Sequence, residues 1–276
     1  MSAVLSLILS LFSELIDPIM LDSPSRLVKV LYRGDFWSNV STVIPPELDQ
    51  GWILELDEHI LIAHALGNYN QPNTIESAKE SIDKGYNFLE VDLFLYKNVL
   101  RCHHGPVKPN EFQEGDCDLI ALIKIAKNNN ARLILDIKSD FKPTFNFLVS
   151  NLGNNQADLN TLIFQIYESS DLKYFLGRAK ELNLKLNSPI VTMYRNHSHL
   201  STVSRLLPKG IKVITIPLAR KHELLQNKNH SKYIIMTHPI SDCNSLKHAK
   251  LLPVRGFYGP NKLIECKEKN DLIHIN

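Results

Sequence analysis

The sequence predicts an α/β fold, a closed (β/α)8 TIM barrel with an N-terminal extension. Three observations predict it. Eight short apolar runs recur from residue 59 onward, and they read as continuous Ile/Val/Leu stretches, as parallel strands buried on both faces do. Amphipathic stretches separate most of them, the alternation of repeated strand–helix units. The chain has 276 residues, enough for a barrel of roughly 250 residues. A doubly wound open sheet is the competitor. It commonly uses fewer strands and places a Gly-rich phosphate turn after the first, whereas here the first run ends near His64 with no GxGxxG.

The elements follow in order. Residues 1–57 are assigned to the extension and 58–276 to the barrel. Ala3 to Phe12 is mostly apolar, and Leu5, Ile8, Leu9, Phe12, Leu15 and Ile16 recur at helical spacing. The run is shorter than the ~20 residues a membrane span needs. No Lys or Arg precedes it, as one would in a signal peptide. A helix packed on the domain is expected, with a membrane-surface helix as the functional alternative. Pro24, Pro45 and Pro46 interrupt the remainder, where no firm element is assigned.

The strand runs are 59–65, 87–95, 132–138, 161–167, 189–194, 212–218, 233–238 and 254–259. Helices are expected at 74–84, 118–128, near 143–151, and at 170–182, 197–207, 219–226 and 241–252. The first begins after Asn73, with Glu76 three residues on, the spacing of a capping box. Tyr96 to Arg101 reads as a hairpin excursion.

Composition narrows the partners. Lys plus Arg is 31 and Asp plus Glu is 29, a net +2, without the basic excess of a nucleic-acid binder. Hydrophobic content of 44% excludes a disordered chain. The four cysteines, Cys102, Cys117, Cys243 and Cys266, form no CxxC pair, which argues against structural zinc. Free thiols in a reducing, cytoplasmic setting are expected, with a Cys102–Cys117 bridge as the alternative. Membrane association and secretion stay open.

Catalytic residues of a barrel cluster at the C-terminal ends of its strands. His64 ends the first run; Glu90 and Asp92 share one face of the second; Asp136 and Lys138 share one face of the third. Gln165 and Tyr167 end the fourth run, Tyr194 the fifth and His238 the seventh. Carboxylates within apolar strands are costly unless paired or coordinated. Glu90, Asp92 and Asp136 offer three oxygen ligands, a set suited to Mg²⁺ or Ca²⁺ rather than zinc. The bland alternative pairs Asp136 with Lys138 or Arg132. Two histidines, His64 and one of His103 and His104, could serve a phosphodiester as general base and general acid.

The stretch 62–105 resembles the opening of glycerophosphodiester phosphodiesterase-like proteins, in the wider phospholipase C-like phosphodiesterase superfamily. The matching residues are His64, Asn73-Thr74-Ile75-Glu76-Ser77, Glu90-Val91-Asp92, and His103 or His104. Downstream, Asp136 and Lys138 match a third-strand Glu/Asp-x-Lys. The resemblance implies that His64 and His104 form the acid/base pair, that Glu90, Asp92 and Asp136 bind a divalent cation, and that Lys138 contacts the phosphate. His104 is preferred because His104-Gly105-Pro106 keeps the Pro of the family's His-Asp-Pro. Gln165, Tyr167 and Tyr194 are weaker candidates for substrate binding.

The implied activity is hydrolysis of glycerophosphodiesters or lysophospholipids. A sphingomyelinase D-like branch, which forms a cyclic phosphate, shares the Asp-x-Lys pattern. Ala65-Leu66-Gly67 stands where the family has Arg-Gly, Pro72 where it has Glu, and Gly105 where it has Asp. The competing expectation is a catalytically weak barrel that binds a phosphorylated ligand or a protein partner.

Overall fold

Each of the eight apolar runs folds as a strand in a computed structural model. It describes residues 46–56, 59–105, 118–153, 155–193, 206, 209–220 and 232–266. The apolar helix expected at 3–16, the helix at 197–207, most of 219–226, Cys117 and Tyr194 lie outside the described residues. The barrel strands are β1 (Ile60–Ala63), β2 (Phe88–Tyr96), β4 (Arg132–Ile137), β5 (Leu162–Ile166), β6 (Ile190–Thr192), β7 (Val213–Pro217), β8 (Ile234–His238) and β9 (Gly256–Gly259). All eight run parallel, and β1 closes the barrel by pairing with both β2 and β9. The expected excursion is the antiparallel strand β3 (Val99–Cys102), hung on the upper half of β2. Its two-residue turn places Lys97 and Asn98 at φ 46° and 62°, the left-handed pair that suits a tight hairpin.

Alternation along the strands divides the core in two. The inward residues Ile62, Phe88, Ile134, Ile163, Ile190, Val213, Met236 and Tyr258 pack together in the barrel. The outward residues pack against the helices. Those helices are α1 (Ile75–Asp83), α2 (Leu119–Asn128), α3 (Phe141–Leu152), α4 (Gln156–Leu159), α5 (Ser169–Glu181) and α6 (Cys243–Ala249). Phe145 of α3 and Phe175 of α5 both meet Phe164 of β5. The single turn α4 has no counterpart in the expected set.

Residues 46–56 sit beneath this inner layer. Trp52, Ile53 and Leu56 join the inner cluster from below. The Trp52 indole donates to the Ser188 carbonyl at 3.0 Å, and its ring tilts onto Phe88 at 6.3 Å. Asp49 forms a parallel bridge with Asn187, and Glu55 pairs with Arg132.

Two expectations are corrected. The first helix is capped by Thr74 rather than Asn73: the Thr74 hydroxyl accepts from the Ser77 amide at 3.2 Å. Asn73 has left the helix line, at φ 61°, and its amide is engaged elsewhere. The described cysteines are not free thiols. Cys243 and Cys266 form a disulfide with Cα atoms 5.4 Å apart, and Cys102 is also disulfide-bonded. Spacing along the chain gave no sign that α6 and the chain near residue 266 meet.

Candidate active site

Two residues above the inner apolar layer, the same strand faces turn polar. Glu90 and Asp92 follow Phe88, Asp136 and Lys138 follow Ile134, and Gln165 and Tyr167 follow Ile163. Asp92, Asp136 and Gln165 are direct register partners across β2, β4 and β5. The three carboxylates are buried, and one oxygen from each lies within 4.8 Å of the others. No sequence-predicted residue of β1, β2, β4 or β5 is left away from this cluster.

The chain after β1 is folded to serve it. Ala65, Leu66 and Gly67 are all left-handed, at φ 49°, 64° and 96°, a run that costs the two L-residues of order 1–2 kcal/mol each. The turn points the Ala65 amide at Glu90, where it donates to Oε2 at 2.7 Å. The Ala65 carbonyl accepts the Asn73 amide at 2.9 Å, and Ser81 donates to the Leu66 carbonyl at 2.7 Å. Asn73 grips Asp92 from two sides: its Nδ2 donates to Oδ2 at 2.9 Å, and its Oδ1 accepts the Asp92 amide at 2.9 Å.

Asp136 is the other anchored carboxylate. Lys138 Nζ stands 2.6 Å from its Oδ2 and 3.0 Å from Asp92 Oδ1. The Tyr167 hydroxyl donates to the same Oδ2. Gln165 Nε2 donates to the Tyr167 oxygen at 2.6 Å and, at 3.4 Å, to Asp136. The Tyr258 hydroxyl donates to Gln165 Oε1 at 3.2 Å, which fixes the amide's orientation. The bland expectation is thus met at Asp136, which pairs with Lys138, while Arg132 pairs with Glu55.

One ammonium among three buried carboxylates leaves the cluster short of positive charge. Burial, then Asp92 and Asp136, push the Glu90 carboxyl well above its ordinary value. Burial also opposes ionisation of Asp92, but Lys138 first, then His64 and His104, outweigh it and hold its carboxyl below the ordinary value. Glu90 Oε1 and Asp136 Oδ1 are buried and accept no hydrogen bond from the described residues. An all-oxygen set with two idle carboxylate oxygens fits a hard divalent cation such as Mg²⁺ or Ca²⁺.

Both histidine positions face this cluster. His64 Nε2 is 3.9 Å from Glu90 Oε2, and its Nδ1 meets the Tyr69 hydroxyl at 3.2 Å. His104 lies close enough to Asp92 to depress its carboxyl. His103 instead folds back on its own loop, accepting the Gly105 amide at Nδ1 at 3.1 Å.

Asn73, Tyr69 and Tyr258 were not singled out from the sequence. The signal for Tyr258 was its parity with Gly256 in the last run, which places it on the inward face. Asn73 read as a helix cap, and only the fold shows what its amide holds. Among the described residues, no helix is long and apolar enough to cross a membrane.

No protein-family model matches this sequence, and no curated protein matches it. Solved structures do. A glycerophosphodiester phosphodiesterase from Parabacteroides distasonis shares 16% identity, with 79% of this chain and 98% of that one covered at a TM-score of 0.61. A phosphodiesterase from Oleispira antarctica, solved with the product sn-glycerol-3-phosphate, shares 17% identity over 78% of this chain and 98% of that one, TM-score 0.60. A glycerophosphodiester phosphodiesterase from Agrobacterium tumefaciens shares 15% identity over 75% and 98%, TM-score 0.55. At these identities the likeness is one of fold, and that fold is the (β/α)8 barrel the sequence predicts.

Proposed function

We propose that the chain is a divalent-cation-dependent phosphodiester hydrolase acting on glycerophosphodiesters or lysophospholipids. The observation that carries this reading is the Glu90/Asp92/Asp136 cluster at the barrel mouth, with His64 and His104 beside it. The like-folded phosphodiesterases, one holding sn-glycerol-3-phosphate, support the same substrate class.

Glu90, Asp92 and Asp136 would hold Mg²⁺ or Ca²⁺. A bound cation supplies neutralisation of charge on the phosphoryl oxygens. Lys138, held between Asp92 and Asp136, would contact a phosphoryl oxygen beside the cation. His64, steadied by Tyr69 at Nδ1, directs Nε2 into the mouth. His64 and His104 divide the proton work, one accepting from the attacking hydroxyl and the other donating to the leaving alcohol oxygen. Such groups contribute roughly 10²- to 10⁴-fold each. Gln165 and Tyr167 act through Asp136, whose oxygen they hold. The attacking hydroxyl is water in a hydrolysis, or a substrate hydroxyl if the product is a cyclic phosphate.

The Lys138 ammonium between Asp92 and Asp136 favours a second reading, a barrel that binds a phosphorylated ligand without turnover. Hydrolysis of glycerophosphoinositol, glycerophosphocholine and lysophosphatidylcholine, with Mg²⁺ or Ca²⁺ and then with EDTA, separates the two. Turnover is expected with a cation and is lost on chelation. Turnover that survives EDTA, or none with any cation, overturns the hydrolase reading. The disulfide supports an oxidising compartment over the cytoplasm expected from the sequence. Mass spectrometry of alkylated native protein tests this, since four labelled cysteines would return the chain to a reducing one.

A further inference from the structure

The carboxylates and Lys138 occupy only one arc of the barrel mouth. The opposite arc is built by β6, β7, β8 and β9, and no Asp or Glu occurs in any of those strands. Its inward residues above the apolar layer are Thr192, Thr215 and His238, because Ile190, Val213 and Met236 lie one step below on the same faces. We propose that Thr192, Thr215 and His238 form a subsite for the substrate's alcohol group, and that it takes a hydroxyl-bearing polyol rather than a cationic amino alcohol. The proposal rests on the hydrolase reading above and names the alcohol that reading leaves open.

Thr192 and Thr215 are register partners across β6 and β7. Thr215 Oγ1 meets His238 Nδ1 at 3.1 Å, so imidazole and hydroxyl are held as a pair. The His238 ring stands edge-on to Tyr258, centroids 6.0 Å apart. Tyr258 in turn reaches Gln165 and, through it, Tyr167 and Asp136. The neutral arc and the charged arc are therefore one connected rim. Thr192 is 1% exposed, and its Oγ1 has no hydrogen-bond partner among the described residues. A buried hydroxyl left unsatisfied is a cost that a bound ligand would remove.

The chemistry of this arc selects its ligand. Threonine hydroxyls donate and accept, and an imidazole does one at each nitrogen, which matches the hydroxyls of a polyol. A quaternary or primary ammonium is recognised by carboxylates or by open aromatic faces. Strands β6 to β9 carry no carboxylate, and the Tyr258 ring is engaged by His238. A site that hydrogen-bonds a substrate hydroxyl discriminates strongly against an analogue lacking it.

The test is calorimetric binding of inositol 1-phosphate and phosphocholine in the presence of Mg²⁺, two monoesters that share the phosphate and differ in the alcohol. Inositol 1-phosphate is expected to bind at least tenfold more tightly. Thr192→Val should shrink that ratio about tenfold, and Thr192→Ser, which keeps the hydroxyl, should preserve it. His238→Gln, read the same way, stands in if Thr192→Val does not fold. Equal or tighter binding of phosphocholine, or a ratio that neither Thr192→Val nor His238→Gln moves, overturns the proposal. Turnover of glycerophosphocholine or lysophosphatidylcholine with an unmoved ratio defeats the subsite and keeps the hydrolase. A moved ratio without turnover of any diester keeps the subsite and defeats the hydrolase.

Discussion

Glu90 is the side chain least at ease in its place. It is buried, receives one backbone hydrogen bond, and stands beside two further carboxylates. Its carboxyl is pushed up, first by burial and then by Asp92 and Asp136. A raised acid binds its proton more tightly folded than unfolded. Its contribution is therefore complete below the unfolded glutamate range, roughly pH 4.3, and is lost as pH rises through the folded value. Cation-free protein should therefore lose stability as pH rises above the unfolded glutamate range. Glu90→Gln should flatten that decline and be the more stable protein at the alkaline end of the profile. Urea titrations across pH measure it, and parallel profiles for the two proteins would remove Glu90 as the cause. The three carboxylates were legible in the sequence because strand parity alone puts them on one face. Asn73 was not, because its role needs the left-handed turn of Ala65–Leu66 to bring residue 73 over Asp92.

At the scale of the element, strands were easier to read than caps and bridges. Each apolar run became a strand because burial on both faces leaves one composition for it. The α1 cap moved by one residue, since Asn73 and Thr74 both cap well and Asp92 claimed the first. The disulfide was illegible for a different reason. Cys243 starts α6 while Cys266 follows β9, and the 23-residue separation closes only when both pack on the barrel. A loop of that length constrains the unfolded chain by about 3 kcal/mol. The double variant Cys243→Ser, Cys266→Ser should lower stability by about that amount, read as a lower urea midpoint with a slope that is, if anything, steeper because the freed unfolded chain expands. An unchanged midpoint would mean that the bridge adds nothing to the folded balance.

For the whole molecule, the barrel is a plugged cylinder. Trp52 fills the end opposite the carboxylates and ties residues 46–56 to Ser188. Removing a fully buried tryptophan costs about 3–5 kcal/mol, so Trp52→Ala should unfold at markedly lower urea while leaving the polar rim's residues intact. A loss under about 1 kcal/mol would show that the inner layer closes without it. The sequence offered no periodicity here, because a single turn with one large side chain carries none.

The rim is also divided along the chain. His64, Glu90, Asp92, His104, Asp136 and Lys138 all fall within residues 64–138, whereas Thr192, Thr215, His238 and Tyr258 fall within 192–258. Each half of the gene therefore encodes its own arc of the mouth. A half-barrel exchanged at the α3–α5 region would carry one arc into a new context whole. Substitutions at Thr192 and Thr215 would reshape the neutral arc alone, whereas one at Tyr258 would also reach Asp136 through Gln165. In such a layout the two arcs can diverge at different rates as long as the Tyr258–Gln165 contact that joins them is kept.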